Sequence, residues 1–200
     1  ALEELKVVTL VLGSGCTANA LQHGVSVEVS TGFTPLEGLV QSTRCGDLDV
    51  GLVLWLMDQE GLTPTQMSDL LFRESGWLGL SGLGPDLREV IAAARSGHHD
   101  AQLALEVMVH RCRKYVGAYA AAMGGIDALV FTGGIGEKSP LIRQRICDSL
   151  LFLGLQLDDE ANRAPGEDRI ISTAASRARA LVVVMNEELV IARETARWIT

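Results

Sequence analysis

The sequence predicts an α/β domain with a mixed central sheet flanked by helices, and three observations carry that prediction. Apolar runs of strand length recur at "LKVVTLVL" (residues 5–12), "DALVFT" (127–132) and "ALVVVM" (180–185), each apolar enough to be covered on both faces of a sheet. After residue 127 such runs alternate with helical patterns, as they do in parallel α/β proteins. At the start, by contrast, "TANALQHGVSVEVS" (17–30) follows the first run after only a short glycine turn. That places three strands in succession, with His23-Gly24 at the second turn.

Each element has a local reason. The strand over 5–12 stops at Gly13-Ser14-Gly15. After the third strand, "STGFTPLEGLVQSTRCGD" (30–47) dissolves into Gly, Thr, Ser and Pro for longer than most connections run, and long ordered loops usually carry function. "DLDVGLVLWLMDQE" (47–60) reads as a helix opened by acidic residues and closed by Gly61. Thr63-Pro64 gives the next helix its N-cap and its first-turn proline. Gly76, Gly79, Gly82 and Gly84 read as a loop up to Pro85, followed by a short helix in "DLREVIAAARSG" (86–97). His98 to Met123 is the longest helical pattern, ended by Gly124-Gly125. Beyond the strand at 127–132, "GGIGEKSP" (133–140) reads as a turn and "LIRQRICDSLLFLG" (141–154) as a helix. The polar stretch 157–172 is a surface excursion ending in an edge strand, and "NEELVIARETARWI" (186–199) is the last helix.

Composition narrows the function. A chain of 200 residues is long enough to bury a core without staples. Its formal charge of −8 argues against a nucleic-acid partner, which requires a basic face, and no run approaches the ~18 apolar residues of a membrane span. Cys16, Cys45, Cys112 and Cys147 lack C-x-x-C spacing and read as reduced thiols of a cytoplasmic protein. The opening "ALEELKVVTL" has neither an initiator Met nor a signal-peptide pattern, so a piece of a longer chain is expected. His98, His99 and His110 have no metal-ligand partners at useful spacing, and Trp55, Trp77 and Trp198 read as core or interface anchors.

Chemistry is concentrated in a few short stretches. In "VFTGGIGEKSP" (130–140) a buried strand delivers bare backbone N–H groups toward a helix start, which suits a nucleotide at the carboxyl edge of a sheet. The alternative is a tight turn that uses glycine for positive φ. "LGSG" (12–15), with the hydroxyls of Ser14 and Thr17, is either a second phosphate cradle or a plain hairpin turn. Arg44 in "STRCGDLD" (42–49) can fork onto a transferring phosphoryl group, or can pair with Asp47 or Asp49 at the helix start. Glu187 and Glu188 follow a strand end and can hold Mg²⁺ while Asn186 caps the helix. Asp86 in "DLR" (86–88) is equally a first-turn acid.

"GFTPLEGL", "TRCGDLD", "VFTGGIGE" and "NEELVIARET", in this order, make the chain resemble the carboxyl-terminal half of the acetokinase family. The resemblance implies a ribonuclease-H-like fold of the actin-like ATPase and sugar kinase superfamily. It implies a single nucleotide-binding and dimerisation domain, with the amino-terminal half of the enzyme absent. Gly13, Ser14 and Gly15 would form the phosphate loop. Asp86, Leu87 and Arg88, with Gly134, Ile135, Gly136 and Glu137, would contact the adenosine part of ATP. Arg44 would be the catalytic arginine, Pro35 would border the acetate methyl, and Glu187 would serve Mg²⁺. The implied reaction is reversible phosphorylation of acetate by ATP to acetyl phosphate, in a cytoplasmic homodimer that binds neither nucleic acid nor membrane. A propionate or butyrate kinase remains an alternative, as does a non-catalytic nucleotide-binding or dimerisation module. Val11 replaces a histidine usual in the family, and Lys138 an asparagine. Half a cleft should bind nucleotide weakly and turn over little by itself.

Overall fold

Strand β1 (Lys6–Leu12) has neighbours on both sides that decide the fold, in a computed structural model that describes residues 1–199, the side chain of residue 199 excepted. On one side β1 pairs antiparallel with β2 (Cys16–Gln22), which pairs antiparallel with β3 (Val25–Val29). On the other it runs parallel to β4 (Ala128–Thr132), which is parallel to β6 (Arg179–Val182). The short β5 (Arg169–Ile170) closes that edge, giving the order β3-β2-β1-β4-β6-β5. Three antiparallel strands thus lead into parallel ones, as the apolar runs imply. The edge strand falls where the polar stretch 157–172 was expected to end.

The helices are α1 (Val50–Glu60), α2 (Pro64–Arg73), α3 (Gly76–Ser81), α4 (Leu87–Arg95), α5 (His99–Met123), α6 (Gly133–Lys138), α7 (Pro140–Cys147), α8 (Asp159–Arg163) and α9 (Glu187–Ile199). α5 is the spine. Its buried positions Ala101, Ala104, Leu105, Met108, Cys112, Val116 and Ala120 recur at helical spacing and form one core with Val8, Leu10 and Phe131. The alanines let the helix approach closely, and each large side chain removed from water contributes about 2 kcal/mol.

Several expectations need correction. Residues 76–81 form helix α3, not a loop, because Trp77 is buried to 1% exposure and its indole N–H donates to the Pro85 carbonyl. The segment 133–138 turns sharply only at Gly133, where φ is +77°, and passes straight from β4 into helix α6. α1 begins at Val50 with Asp49 as N-cap, so Asp47 lies outside it. β6 ends at Val182, and the helix expected over 141–154 breaks into α7 and a 3₁₀ turn at Leu151–Leu153. The excursion 157–172 carries α8, whose Asn162 is buried. Of the three tryptophans read as core or interface anchors, Trp77 lies in the core, while Trp55 and Trp198 are exposed and so are not core. All four cysteines are free thiols, three of them buried, and among the described residues no helix is long and apolar enough to cross a membrane.

Candidate functional site

Parallel pairing brings the two glycine turns together. β1 and β4 are in register with Val11 opposite Thr132, so Gly13-Ser14-Gly15 and Gly133-Gly134 leave the same edge of the sheet side by side. Gly133 has φ +77°, and a Cβ there would stand 2.7 Å from the Leu12 carbonyl oxygen. The "LGSG" stretch is a hairpin turn between β1 and β2, closed by Gly13 N–H donating to Gly15 O at 2.9 Å. It also sits at the carboxyl edge of β1, beside the start of α6.

One cavity of about 980 Å³ opens beside these turns. Ser14 reaches it from the hairpin, Asp86, Leu87 and Arg88 from the start of α4, and Gly134 and Ile135 from α6. Its charged lining is Arg88, Arg95, Lys138 and Arg163 against the single carboxylate of Asp86, in a chain whose net charge is −8. The cavity therefore concentrates positive charge, and its size suits a small organic anion. Asp86 caps α4 by accepting from Arg88 N–H at 2.9 Å, and the Arg88 guanidinium holds its carboxyl below the usual carboxylate range.

The loop 38–47 is tied to the hairpin: Ser42 N–H donates to Ser14 O at 3.0 Å. Arg44 is half-buried, and its Nη1 donates to Gln41 Oε1 at 2.8 Å; the same oxygen accepts from Cys16 N–H at 3.3 Å. A Cβ on Gly15 would lie 3.7 Å from Arg44 Nη1. The expected pairing of Arg44 with Asp47 or Asp49 does not occur. Asp47 pairs with Arg111 at 2.9 Å and accepts from Tyr115 Oη at 2.9 Å, while Asp49 caps Gly51. Among the described residues no carboxylate lies within ion-pair reach of Arg44, so its charge faces the Gly13–Gly15 turn unneutralised.

The remaining predicted residues, Gly136, Glu137, Pro35 and Glu187, do not line the cavity. Gly136 is buried against β4, where a Cβ would meet the Phe131 carbonyl carbon at 3.4 Å. Glu137 turns away from the cavity: its Oε1 accepts from Gly133 N–H and Met185 N–H, both at 3.0 Å. Pro35 is exposed and outside the cavity lining, its carbonyl accepting from Gln41 Nε2 at 2.6 Å. Glu187 opens α9 in an exposed position, and Asn186 caps that helix through Leu189 N–H at 3.0 Å. Among the described residues no three His, Cys, Asp or Glu side chains form a metal-sized cluster. Glu187 offers one hard oxygen donor. Mg²⁺ suits such a donor, because it is commonly held by one or two carboxylates together with substrate phosphates and water.

The cavity wall also includes Ile91, Ala92 and Arg95 of α4 and Leu141 and Gln144 of α7, none of them singled out from sequence. Arg88, Ile91, Ala92 and Arg95 recur at i, i+3, i+4 and i+7, a face legible as a stripe but not as a ligand wall.

Strand order, neighbouring glycine turns and a cation-lined cavity at the carboxyl edge define a ribonuclease-H-like α/β domain with an anion-receptive site. The chain belongs to the acetokinase family, whose sequence profile matches residues 1–193. It is 49% identical over 196 residues to the acetate kinase of Dictyoglomus turgidum, covering 98% of this chain and 48% of that protein. The crystal structure of Porphyromonas gingivalis acetate kinase superposes with a TM-score of 0.94 at 40% identity, covering 99% of this chain and 50% of the other. A propionate kinase from Francisella tularensis subsp. tularensis SCHU S4 superposes at 0.88 with 39% identity, covering 94% of this chain and 48% of the other. The chain spans about half the length of the curated relatives it matches.

Proposed function

We propose that this chain supplies the nucleotide-binding half of an acetate kinase, which moves the γ-phosphoryl group of ATP reversibly onto acetate to give ADP and acetyl phosphate. The observation that carries this reading is the convergence of Arg44 and the two glycine turns beside one cation-lined cavity. Backbone N–H groups at the strand ends and the adjoining cations suit a triphosphate tail, and the apolar Leu87, Ile91 and Ile135 suit the nucleoside. Phosphoryl transfer is mostly positioning plus charge stabilisation. Arg44, unpaired with any carboxylate within reach, is free to meet the charge that spreads over the equatorial oxygens.

Glu187 would hold Mg²⁺ through its carboxylate. The ion, when bound, offsets phosphate charge. Pro35 reaches the Arg44 loop through Gln41 and would border the methyl group of the carboxylate. A homodimer and a cytoplasmic location accompany the reading, the latter in keeping with buried free thiols. The likeness to a propionate kinase keeps a longer acyl chain as the second reading.

Two measurements test the proposal. Titration of the chain with a non-hydrolysable ATP analogue should show saturable, Mg²⁺-dependent binding. Fusion to the segment of the Dictyoglomus turgidum enzyme that the chain does not match should yield acyl phosphate, trapped as the hydroxamate, faster with acetate than with propionate. Absence of analogue binding overturns the nucleotide site. Binding without turnover in the fusion assigns a non-catalytic module, and preference for propionate assigns the second reading.

A further inference from the structure

Arg143 is a buried cation for which phosphoryl transfer has no direct use. It is 0% exposed, yet among the described residues no carboxylate lies within ion-pair reach of its guanidinium. Carbonyl oxygens take the place of a counterion. Nη1 donates to Gly136 O and Glu137 O, both at 2.8 Å; Nε donates to Asn162 Oδ1 at 2.8 Å; and Nη2 donates to Asn162 O at 2.5 Å. Asn162 is itself buried and donates through Nδ2 to Pro140 O at 3.0 Å. The planar fork, carried on α7, therefore joins the carboxyl end of α6 to the last turn of α8, and Asn162 ties α8 back to the first residue of α7. Those three helices carry Gly134, Ile135, Lys138, Leu141, Gln144 and Arg163 to the cavity.

A buried charge is disfavoured unless every donor is satisfied, and a half-satisfied polar network is worse than an apolar one. Four of the five Arg143 N–H groups find acceptors in the observed arrangement, so displacing α6 or α8 from α7 breaks its hydrogen bonds. The terminal carbonyls of α6 present the negative end of backbone dipoles, which suits a cation there. Burial draws the Arg143 pKa down to about 10, with Arg169 as a lesser cause, and still leaves the group charged at neutral pH.

We infer that Arg143 is a positioning residue that, together with Asn162, which also lines the cavity, fixes the α6–α7–α8 wall of the nucleotide cavity and so sets nucleotide affinity, an inference that rests on the nucleotide reading above. Arg143 does not touch the cavity itself. It acts through Gly136, Glu137 and Asn162.

Arg143→Lys keeps the charge but lacks a fork that can reach α6 and α8 together. Asn162→Ala removes the Nε acceptor and the Pro140 donor while retaining the backbone carbonyl that accepts from Nη2. Each single variant should weaken binding of the ATP analogue to the chain about tenfold, and the double variant should add little, because the two residues act as one unit. In the fusion enzyme the KM for ATP should rise by a similar factor, with kcat at saturating ATP and the KM for the carboxylate each within about twofold. Hydrogen exchange should accelerate in α6 and α8 together in both variants. Unchanged analogue affinity in folded variants overturns the inference, as does full additivity or a loss confined to kcat. Should the unaltered chain bind no nucleotide, the functional reading fails, and exchange alone decides the clamp: joint loosening of α6 and α8 upholds it, and loosening of only one rejects it.

Discussion

Glu137 Oε1 lies 3.0 Å from Met185 N–H and accepts from it, while also accepting from Gly133 N–H at 3.0 Å. One carboxylate oxygen thereby links the entry of α6 to the chain just beyond β6, which leads directly to Asn186 and Glu187. Without it two backbone donors at the edge of the site lose their acceptor. Glu137→Ala is expected to lower unfolding stability by about 2–3 kcal/mol, the scale for charge-assisted bonds whose partners are left unpaired. Glu137→Gln keeps an acceptor oxygen and should remain within about 1 kcal/mol of the parent. Urea denaturation at constant m-value distinguishes the two outcomes. Equal losses in both variants would show that the carboxylate oxygen does not hold the link.

Much of this architecture is legible locally. The apolar runs at 5–12, 127–132 and 180–185 mark three sheet strands, and Thr63-Pro64, Gly61 and Gly124 mark helix ends where the structure has them. The glycine turns also declare themselves, because bare backbone is itself their chemistry. What escapes is structure imposed from a distance. α3 and α6 are glycine-rich and weak helix formers, and they are helical because Trp77 and Gly136 are packed from outside. Asp47 meets Arg111 and Tyr115, 64 and 68 residues away, in place of the Arg44 that sequence proximity suggests. Arg143 and Asn162 lie 19 residues apart on different helices, so no helical or strand spacing announces them.

Gly133 and Gly134 are adjacent, yet they answer to different demands. Gly133 has φ +77°, and a Cβ would press on the Leu12 carbonyl at 2.7 Å. Gly134 has no atom within 4 Å of a built Cβ and lines the cavity. Gly133→Ala should therefore lose about 2 kcal/mol or more from backbone strain and overlap. Gly134→Ala should keep or gain a fraction of a kcal/mol, since alanine favours helix, while its methyl group intrudes on ligand space and weakens ATP-analogue binding. Thermal unfolding and calorimetric titration of the two variants check the split. Reversed assignments would mean that Gly134 carries the turn.

Asp86 supplies a pH dependence of known sign. Arg88 donates from Nε to both carboxylate oxygens at 3.0 Å and from Nη2 to Oδ2 at 2.6 Å, and these bonds hold the Asp86 pKa below its ordinary value. A carboxyl group whose folded pKa is depressed adds stability above its unfolded pKa of about 4, and that contribution disappears as pH falls through the folded value. Asp86→Asn retains a good N-cap but not the charge. The stability difference between parent and variant should be small, because the pair is exposed, constant from pH 6 to 8, and should vanish as pH falls below about 4. A difference that grows on acidification would contradict the assignment.

Arg44 should separate catalysis from stability. It has no carboxylate partner within reach among the described residues, and its recorded side-chain hydrogen bond runs to Gln41 Oε1, an oxygen that Cys16 N–H also engages. Arg44→Ala therefore leaves no buried acceptor bare, and its effect on unfolding should stay within about 1 kcal/mol. Catalytically the position matters far more, since the guanidinium is the positive group beside Gly15 that can follow charge onto the phosphoryl group in flight. In the fusion enzyme kcat should fall by about 10²-fold or more, with the KM for ATP changed by less than about threefold, because the interaction strengthens only in the transition state. Arg44→Lys keeps the charge but not the two-pronged geometry, and its kcat should fall between those of the parent and Arg44→Ala. Steady-state kinetics with both variants, read beside their denaturation midpoints, decide the matter. A kcat that survives Arg44→Ala would remove this residue from the reaction, and a loss that follows global unfolding would make it a structural one.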